Sequence, residues 1–338
     1  MPHTLSARSG GGGYGTAYQV EGATRVITRT DVQEAAARIA GHVRTTPVAR
    51  VEPDLAGPAG ALWLKLEFLQ HSGSFKARGA FNRVLAAAER GELPAAGVVT
   101  ASGGNAGAAV AYAARSLGVP AEVYVPTAAP AVKVGKLRQL GATVVRHGTE
   151  YAEAYDAAVK RTADTGALFC HAYDQPEICA GQGTLGLELL EQTGELDTVL
   201  VAVGGGGLMA GVTTALDGRA GVVAVEPEGA SALHAALVAG GPVDVPVAGV
   251  AADSLGARRV GAIAYEVAVR AGVRSVLVTD EQIVQARRLL WSRYRVAVEH
   301  GTAAALAALT SGAYRPVAGE RLAVLLCGAN TDPADLAG

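Results

Sequence analysis

The feature that most constrains the fold of this chain is the alternation of short, valine-rich runs with longer, alanine-rich amphipathic segments. The valine-rich runs are apolar almost without interruption, as in AEVYVP and TVLVAVGGGG, whereas segments such as NAGAAVAYAARSLG repeat their apolar residues at helical spacing. Continuous apolar strands that alternate with helices are typical of parallel sheets covered on both faces. The sequence therefore predicts an α/β fold in which mostly parallel central sheets are flanked by helices.

The length of the chain, 338 residues, favours two domains, each with its own central sheet. We expect residues 1–29 to form a flexible, glycine-rich leader. We expect ordered structure to begin with the stretch TRTDVQEAAARIAGHV, as a helix capped by Thr30 or Asp31. The expected division is a small mobile domain at 72–166 and a large domain at 30–71 and 167–338.

Composition excludes several classes of function. The net charge of −2 does not favour binding to nucleic acid or to an anionic membrane, and no apolar run reaches the ~18 residues that span a bilayer. The leader lacks the apolar core of a signal peptide. The three cysteines, Cys170, Cys179 and Cys327, have neither metal-ligand spacing nor the density of a disulfide scaffold. A reducing cytoplasm is the expected location.

Four consecutive glycines, Gly204–Gly207, follow a predicted strand and precede a predicted helix. Without Cβ atoms, their backbone N–H groups can converge on an anion, and the start of the helix adds partial positive charge. The loop has neither the Lys-Ser/Thr of a nucleotide P-loop nor a dinucleotide G-x-G-x-x-G. The alternative is a tight strand–helix turn, which two glycines would satisfy. The pattern favours a site for one phosphate group.

A second glycine-rich loop, ASGGN, leads from another predicted strand into a helix. Ser102 and Asn105 could donate hydrogen bonds to an anion or to a phenolic oxygen there. The alternative is an ordinary helix start with Asn105 as N-cap, and this loop alone does not decide between the two. A third loop, Cys327-Gly328-Ala329-Asn330, follows the last predicted strand.

Lys76 lies in HSGSFKARGAF, among small and aromatic residues, in a chain with only five lysines. An amine can lose its proton and act as a nucleophile, as a guanidinium cannot. The alternative is a solvated lysine at the start of a helix, the commoner fate of this residue. A lysine, a phosphate loop and an anion loop together match the needs of pyridoxal phosphate, which requires an amine for its aldehyde and a cradle for its phosphate.

The motifs SGSFKARGAFN, SGGNAGAAVAYAARSLGVPAEVYVP, GQGTLGLELLEQTG, VGGGGLMAG and LLCGAN resemble those of the serine/threonine dehydratases, in order as well as in type. These are pyridoxal-phosphate enzymes of fold type II, relatives of the tryptophan synthase β chain. The resemblance covers the chain from about Thr30 onward. It implies β-elimination from a small β-hydroxy amino acid such as L-serine or L-threonine, giving a 2-oxo acid and ammonia.

The resemblance also implies roles for individual residues. Lys76 would be the catalytic lysine that binds the cofactor covalently, and Phe75 would stack on the cofactor ring. The other implied contacts are, for the phosphate, Gly204, Gly205, Gly206, Gly207 and Leu208; for the substrate carboxylate, Ser102, Gly103, Gly104, Asn105 and Ala106; for the ring hydroxyl, Asn105; for the ring nitrogen, Cys327; and for a monovalent cation such as potassium, Glu226 with Ala230 and Leu255.

Two positions favour elimination over other reactions of the fold. A neutral Cys327 thiol cannot keep the ring nitrogen protonated as a carboxylate would, which suits a carbanion that expels its leaving group at once. Gly103 lacks the hydroxyl with which racemase relatives reprotonate the α-carbon. A β-replacement synthase, an amino-acid racemase and a cofactor-free sensor remain alternatives. We expect a homodimer and, because the chain ends soon after Asn330, no C-terminal regulatory domain.

Overall fold

The computed structural model describes residues 25–336, so residues 1–24 of the predicted leader lie outside the described residues. The strands are β1 (Val48–Val51), β2 (Ala61–Lys65), β3 (Val98–Ala101), β4 (Ala121–Val125), β5 (Thr143–Arg146), β6 (Leu168–Phe169), β7 (Thr198–Ala202), β8 (Gly221–Pro227), β9 (Arg274–Val278) and β10 (Arg321–Leu325). The helices are α1 (Arg29–Ile39), α2 (Lys76–Glu89), α3 (Asn105–Ser116), α4 (Ala131–Gln139), α5 (Tyr151–Thr165), α6 (Pro176–Thr193), α7 (Gly207–Leu216), α8 (Ala232–Ala239), α9 (Ala252–Leu255), α10 (Ala262–Ala271), α11 (Asp280–Tyr294) and α12 (His300–Thr310).

The strands form two sheets, which confirms the predicted α/β class. The larger sheet has the order β1-β2-β10-β7-β8-β9, and all its pairings are parallel except that of the edge strand β1 with β2. The smaller sheet, β5-β4-β3-β6, is parallel throughout. Its strand β6 lies just past the predicted end of the small domain at residue 166, and the domain boundaries remain a prediction.

The central strands are buried on both faces, as their unbroken apolar sequences predict. Every residue of β3 and of β7 is buried. Alanine-rich α3 packs against the smaller sheet, and α7, α10 and α12 cover the larger one. Loops that follow the carboxyl ends of parallel strands meet at one edge of a sheet, where ligands bind in such folds. The loops after β3 and β7 follow the carboxyl ends of strands in different sheets, and both loops line the same cavity.

The first helix begins earlier than predicted. Its N-cap is Thr28, whose side chain accepts from the Asp31 backbone N–H, while the Asp31 carboxylate accepts from the Thr28 backbone N–H. The prediction of Thr30 or Asp31 as N-cap was therefore wrong. Asp31 occupies position N3 of a capping box, a pattern in which the acidic residue stands three positions after the N-cap.

Helix α6 is longer than the predicted stretch LGLELLEQTG, because it starts at Pro176 and includes the glycine-rich segment AGQGT. Glycine weakens a helix in isolation. Here it allows helices to touch: a Cβ on Gly183 would lie 2.6 Å from the Gly211 carbonyl oxygen in α7, and one on Gly181 would lie 2.7 Å from the Arg78 carbonyl oxygen in α2. Tertiary packing thus overrides local propensity at this helix.

Candidate active site

The glycines of the loop after β7 have no room for side chains. A Cβ on Gly205 would lie 2.3 Å from the Tyr173 ring, and one on Gly207 would lie 2.4 Å from the Tyr173 carbonyl oxygen. Gly206, the N-cap of α7, adopts φ of +86°, which L-residues rarely reach, and a Cβ there would lie 2.5 Å from Ala264. Two glycines would be enough for a tight turn. Here none of these positions has room for a Cβ, so the loop exposes backbone N–H groups, which is what a phosphate site built from backbone alone requires.

The remaining positions of this loop agree with that description. A Cβ on Gly204 would lie 3.0 Å from the Leu255 Cα. Leu208, the second residue of α7, is buried in the core. Because α7 begins at Gly207, the unpaired N–H groups of its first turn lie next to the loop. A helix start of this kind favours an anion such as a phosphate.

Lys76 is the first residue of α2 and follows Phe75, whose ring centroid lies 4.9 Å from the lysine Nζ. The Nζ atom donates a hydrogen bond of 2.7 Å to the Ala172 carbonyl oxygen. Burial lowers the pKa of the Lys76 amine from 10.5 to about 8, and the Glu299 carboxylate partly opposes the shift. The lowered pKa increases the neutral fraction of the amine near neutral pH, and the neutral amine can take up a proton or attack a carbonyl.

A buried ion-pair network fixes the start of α2. Arg78, two residues after Lys76, donates to Glu67 at 2.6 Å and to Glu188 at 2.9 Å. Glu188 also pairs with Lys65, which is fully buried. Two positive and two negative side chains compensate each other, as buried charges require. The network anchors the backbone from which Lys76 projects. No local motif indicates it, because its outermost members, Lys65 and Glu188, are 123 positions apart in the sequence.

The second glycine-rich loop is open to the cavity. Gly104 has nothing within 4 Å of a Cβ, and a Cβ on Gly103 would meet only Val125, at 3.6 Å. The Ser102 hydroxyl accepts a hydrogen bond of 3.3 Å from the Gly104 backbone N–H. Ala106, on the first turn of α3, also faces the cavity. The loop therefore has space for a ligand at the start of α3.

Asn105 does not cap α3, since Gly104 is the N-cap and Asn105 is the first helical residue. Its amide instead donates to both carboxylate oxygens of Glu299, at 2.9 and 3.0 Å. The Asn330 backbone N–H donates to the same carboxylate, and the Asn330 side chain donates to the Asn105 carbonyl oxygen. Lys136 of α4 donates in turn to Asn330. These contacts exclude the interpretation of Asn105 as a helix cap.

Glu299 is a site residue that the sequence motifs did not indicate. It is the N-cap residue of α12, it is nearly buried, and burial raises the pKa of its carboxyl group above the ordinary value. The available signal was a carboxylate in the mostly apolar segment VAVEHGTAAALAAL. Because it holds both Asn105 and Asn330, Glu299 connects the loop after β3 to the loop after β10.

Cys327 follows β10 and is buried. Its sulfur lies 3.4 Å from the Thr302 hydroxyl oxygen, and Thr302 also donates to the Gly328 carbonyl oxygen. Burial raises the pKa of the Cys327 thiol to about 12. The thiol is therefore neutral at physiological pH, as the predicted role beside a ring nitrogen requires.

Glu226, the predicted cation ligand, is buried in β8. It accepts hydrogen bonds from the backbone N–H groups of Leu233 and His234 in the first turn of α8, at 2.7 and 2.8 Å. Burial raises the pKa of its carboxyl group to about 7. Residues 25–336 contain no group of three or more His, Cys, Asp or Glu side chains that could hold a metal ion. The cation site, with Ala230 and Leu255, stays a prediction.

One cavity of about 2750 Å³ unites most of the predicted residues. It is lined by Phe75, Lys76, Ser102, Gly103, Gly104, Asn105, Ala106, Gly204, Gly205, Gly206, Gly207, Leu208, Leu255 and Cys327, and also by Glu299. Of the predicted site residues, Glu226 and Ala230 do not line it. The loops after β3, β7 and β10 therefore form a single site, with Lys76 among them.

A family model described as "Pyridoxal-phosphate dependent enzyme" matches residues 39–328. The chain belongs to this family. The match confirms the resemblance found in the motifs, and the family implies pyridoxal phosphate as the cofactor.

Similar proteins narrow the group within the family. Phenylserine dehydratase of Ralstonia pickettii is 44% identical over 305 residues, 89% of this chain and 92% of that protein. L-threonine ammonia-lyase of Thermotoga maritima is 35% identical over 310 residues, 91% of this chain and 76% of that protein. The solved structure of maize serine racemase aligns with a TM-score of 0.86 at 32% identity, over 92% of this chain and 96% of that chain. The chain is a fold type II enzyme of the threonine dehydratase/serine racemase group.

The cavity residues fit pyridoxal phosphate. The glycine loop offers a backbone cradle that a Cβ at any of its four positions would disturb, which suits a phosphate held by N–H groups. The Lys76 amine is partly neutral and lies beside an aromatic ring, and the Cys327 thiol lies in the same cavity. Within residues 25–336, no helix is long and apolar enough to cross a membrane.

Proposed function

We propose that this protein catalyses the pyridoxal-phosphate-dependent β-elimination of a small β-hydroxy amino acid, such as L-serine or L-threonine, to a 2-oxo acid and ammonia. Dehydratases and ammonia-lyases among its relatives support this reaction, although serine racemases are also similar to it. The observation that carries the choice is the pairing of the Lys76 amine with a glycine at position 103 in the same cavity.

In this proposal, five groups hold the cofactor. Gly204–Gly207 and the Leu208 backbone would hold its phosphate, Asn105 would bond its ring hydroxyl, and Cys327 would face its ring nitrogen. Phe75 would pack against the ring, and the Lys76 amine would hold the cofactor covalently. When bound, the cofactor withdraws electrons from the substrate and so acidifies its α-carbon.

The chain supplies orientation and proton transfer. The backbone from Ser102 to Ala106, at the start of α3, binds the substrate carboxylate and thereby fixes the direction of the Cα–H bond. Lys76 takes the α-proton as general base, for which an amine of pKa about 8 is well suited near neutral pH. In the net reaction, Cα loses hydrogen and Cβ loses hydroxyl as water. A second water then replaces the nitrogen, which leaves as ammonia.

Gly103 separates elimination from racemisation. A racemase needs a proton donor on the face of the α-carbon opposite the lysine, and glycine offers none. Space is not the reason, because a Cβ on Gly103 would meet only Val125, at an ordinary van der Waals distance of 3.6 Å. The absence of a hydroxyl at this position therefore favours elimination on chemical grounds.

The test is a panel of L-serine, L-threonine and related β-hydroxy amino acids, assayed with the holoenzyme for 2-oxo acid, ammonia and D-amino acid. We expect 2-oxo acid and ammonia in equal amounts and little D-serine, without any added nucleophile. Release of 2-oxo acid only at trace levels, with substitution products when thiols or amines are added, would indicate a β-replacement synthase. Excess D-serine would indicate a racemase.

We also propose a homodimeric assembly, a cytoplasmic location and potassium at Glu226. For potassium, we expect the holoenzyme to be more active with potassium chloride than with an equal concentration of tetramethylammonium chloride.

A further inference from the structure

Five aromatic rings form a continuous surface on one side of the cavity. They belong to Tyr151, Tyr155, Phe169, His171 and Tyr173, all of which line the cavity, and we call them the aromatic wall. Neighbouring ring centroids are 4.6 to 6.3 Å apart, and the Tyr155–Phe169, Tyr155–His171 and His171–Tyr173 pairs are nearly perpendicular. This edge-to-face packing is the favoured geometry for aromatic rings.

The aromatic wall begins next to the reacting amine. His171 and Tyr173 flank Ala172, whose carbonyl oxygen accepts the hydrogen bond from Lys76 Nζ. The Tyr173 ring also lies against Gly205 of the phosphate loop, since a Cβ on that glycine would lie 2.3 Å from the ring. From this point, the rings continue through His171 to Tyr155 on α5. A substrate whose α-carbon lies within reach of Lys76 therefore has aromatic surface beside it.

The part of the wall nearest to Lys76 is uncharged near neutral pH. His171 Nδ1 accepts hydrogen bonds from the backbone N–H groups of Tyr173 and Asp174, at 3.1 and 2.8 Å. Burial lowers the pKa of His171 to about 4, and the positive Lys76 acts in the same direction against the opposing Asp174. Burial raises the pKa of the Tyr173 hydroxyl to about 12. Both rings present neutral surface, which favours an apolar group over a charged one.

We propose that the aromatic wall binds the substituent on the β-carbon, and that the preferred substrate is a β-hydroxy amino acid with an aryl group at that carbon, with Tyr155 as the specificity-determining residue. This inference rests on the proposed elimination. A benzene ring on the β-carbon would extend the edge-to-face series and would be removed from water. In serine a hydrogen atom takes the place of that ring, so neither of these favourable contributions is present. The wall lines the same cavity as Lys76, so the substituent on the β-carbon of a bound substrate lies in the cavity that these rings border.

Tyr155 is the best residue to substitute, because other members of the wall also support the fold or the phosphate loop. Phe169 is buried in the core between β3 and α5, and its loss would damage the fold. Tyr173 packs on the phosphate loop, and His171 fixes the turn that carries Ala172. Tyr155 is only half-buried and lies at the centre of the ring series.

The experiment compares kcat/KM for L-3-phenylserine and for L-serine in the wild-type holoenzyme, in Tyr155→Ala and in Tyr294→Ala. Tyr294 is a matched control, because it does not line the cavity and its hydroxyl donates to Glu52 on the surface. We expect wild type to prefer phenylserine by about tenfold or more, and Tyr155→Ala to lose about tenfold or more of that preference while serine changes little. The Tyr294 variant keeps the preference.

A binding measurement separates this inference from the proposed reaction. L-Phenylalanine and L-alanine lack a β-hydroxyl group, so neither can eliminate water, and their binding to the holoenzyme is followed through the absorbance of the cofactor. We expect L-phenylalanine to bind about tenfold more tightly than L-alanine, and Tyr155→Leu, the variant with the smaller change in volume, to reduce that ratio. Equal binding of the two, or equal loss for serine and phenylserine in Tyr155→Ala, would overturn the inference even if elimination is observed. Preferential binding without any 2-oxo acid release would contradict the proposed reaction alone.

Discussion

Lys76, the first residue of α2, and Lys65, at the end of β2, lie in different surroundings. Lys65, at the end of β2, is fully buried and donates to the Thr46 carbonyl oxygen, to Gln192 and to the Glu188 carboxylate. Lys76 lies in the cavity, and its one hydrogen bond within residues 25–336 goes to the Ala172 carbonyl oxygen. Burial lowers the pKa of both amines, but only Lys65 has a carboxylate in contact that opposes the shift.

The hydrogen-bond partners distinguish a lysine that stabilises the fold from one whose amine can take part in catalysis. The rarity of lysine in the sequence drew attention to Lys76, but it applies equally to Lys65. The difference lies in the partners, because an ion pair keeps an amine protonated, whereas a carbonyl oxygen in a cavity leaves part of it neutral. Position alone would not have told the two apart.

The largest expected effect is that of Lys76→Ala. Removing the amine eliminates the proposed general base and the covalent link to the cofactor, so we expect kcat to fall by roughly 10²–10⁴-fold or more. The fold should persist, because the lost side chain leaves no charge without a partner. Release of 2-oxo acid and far-UV circular dichroism measure the two quantities. An active Lys76→Ala variant would show that the comparison assigns the wrong lysine.

For Lys65→Met, we expect a loss of stability and not a loss of the covalent link to the cofactor. This change leaves part of the negative charge of Glu67 and Glu188 uncompensated in the interior, and we expect the free energy of unfolding to fall by about 3–5 kcal/mol. The fraction that folds should still bind the cofactor covalently. Urea unfolding measures the loss. Lys160→Met is the control, since Lys160 is exposed and its pair with Asp164 contributes only about 0.5 kcal/mol.

A smaller effect is expected from Glu299→Gln, which keeps the size of the side chain but removes its charge. Glu299 accepts from Asn105 through both oxygens and so needs its ionised form, which is lost as the pH falls. Because burial raises the pKa of this carboxyl group, that loss begins at a higher pH than for an ordinary glutamate. We expect kcat/KM to fall about tenfold to a hundredfold at neutral pH.

The pH profile of the same variant distinguishes positioning from general damage. Wild type should lose activity on the acidic side as Glu299 takes up a proton, whereas Glu299→Gln should be flatter over the same range. If both profiles fall in parallel, Glu299 does not act through its charge.

The smallest expected effect is that of Gly103→Ser. The site has room for the hydroxymethyl group, and a hydroxyl on the second face of the α-carbon provides a proton donor for reprotonation. We expect D-serine formed per pyruvate to rise several-fold at most, because a hydroxyl without a partner is a weak acid and a misplacement of about 1 Å can reduce a rate about a hundredfold. Gly103→Ala is the matched variant. An equal ratio in both would show that another residue enforces elimination.

The sequence predicted the parts of the site that are continuous in the chain. The loop Gly204–Gly207, the start of α3 and Lys76 were each found from local motifs, because strand–glycine–helix patterns carry their own geometry. Their meeting in one cavity was expected because a lysine, a phosphate loop and an anion loop together match one cofactor, and not from the strand pattern, since β3 and β7 belong to different sheets.

The parts that escaped prediction are assembled from distant segments. Glu299 reaches Asn105 across 194 residues, and its motif differs little from that of an ordinary helix start. The aromatic wall combines rings of α5 with Phe169, His171 and Tyr173, which alternate along one segment, and no sequence pattern relates the two segments to each other. Side-chain contacts of this kind depend on tertiary packing, which local pattern does not encode.

The most direct test of the account is to find which lysine holds the cofactor. The holoenzyme is reduced with borohydride, which makes the link between cofactor and amine permanent, and is then digested for peptide mapping by mass spectrometry. We expect the label on the peptide that contains Lys76 and none on the peptide that contains Lys65. A label on Lys65, Lys133, Lys136 or Lys160 would contradict it.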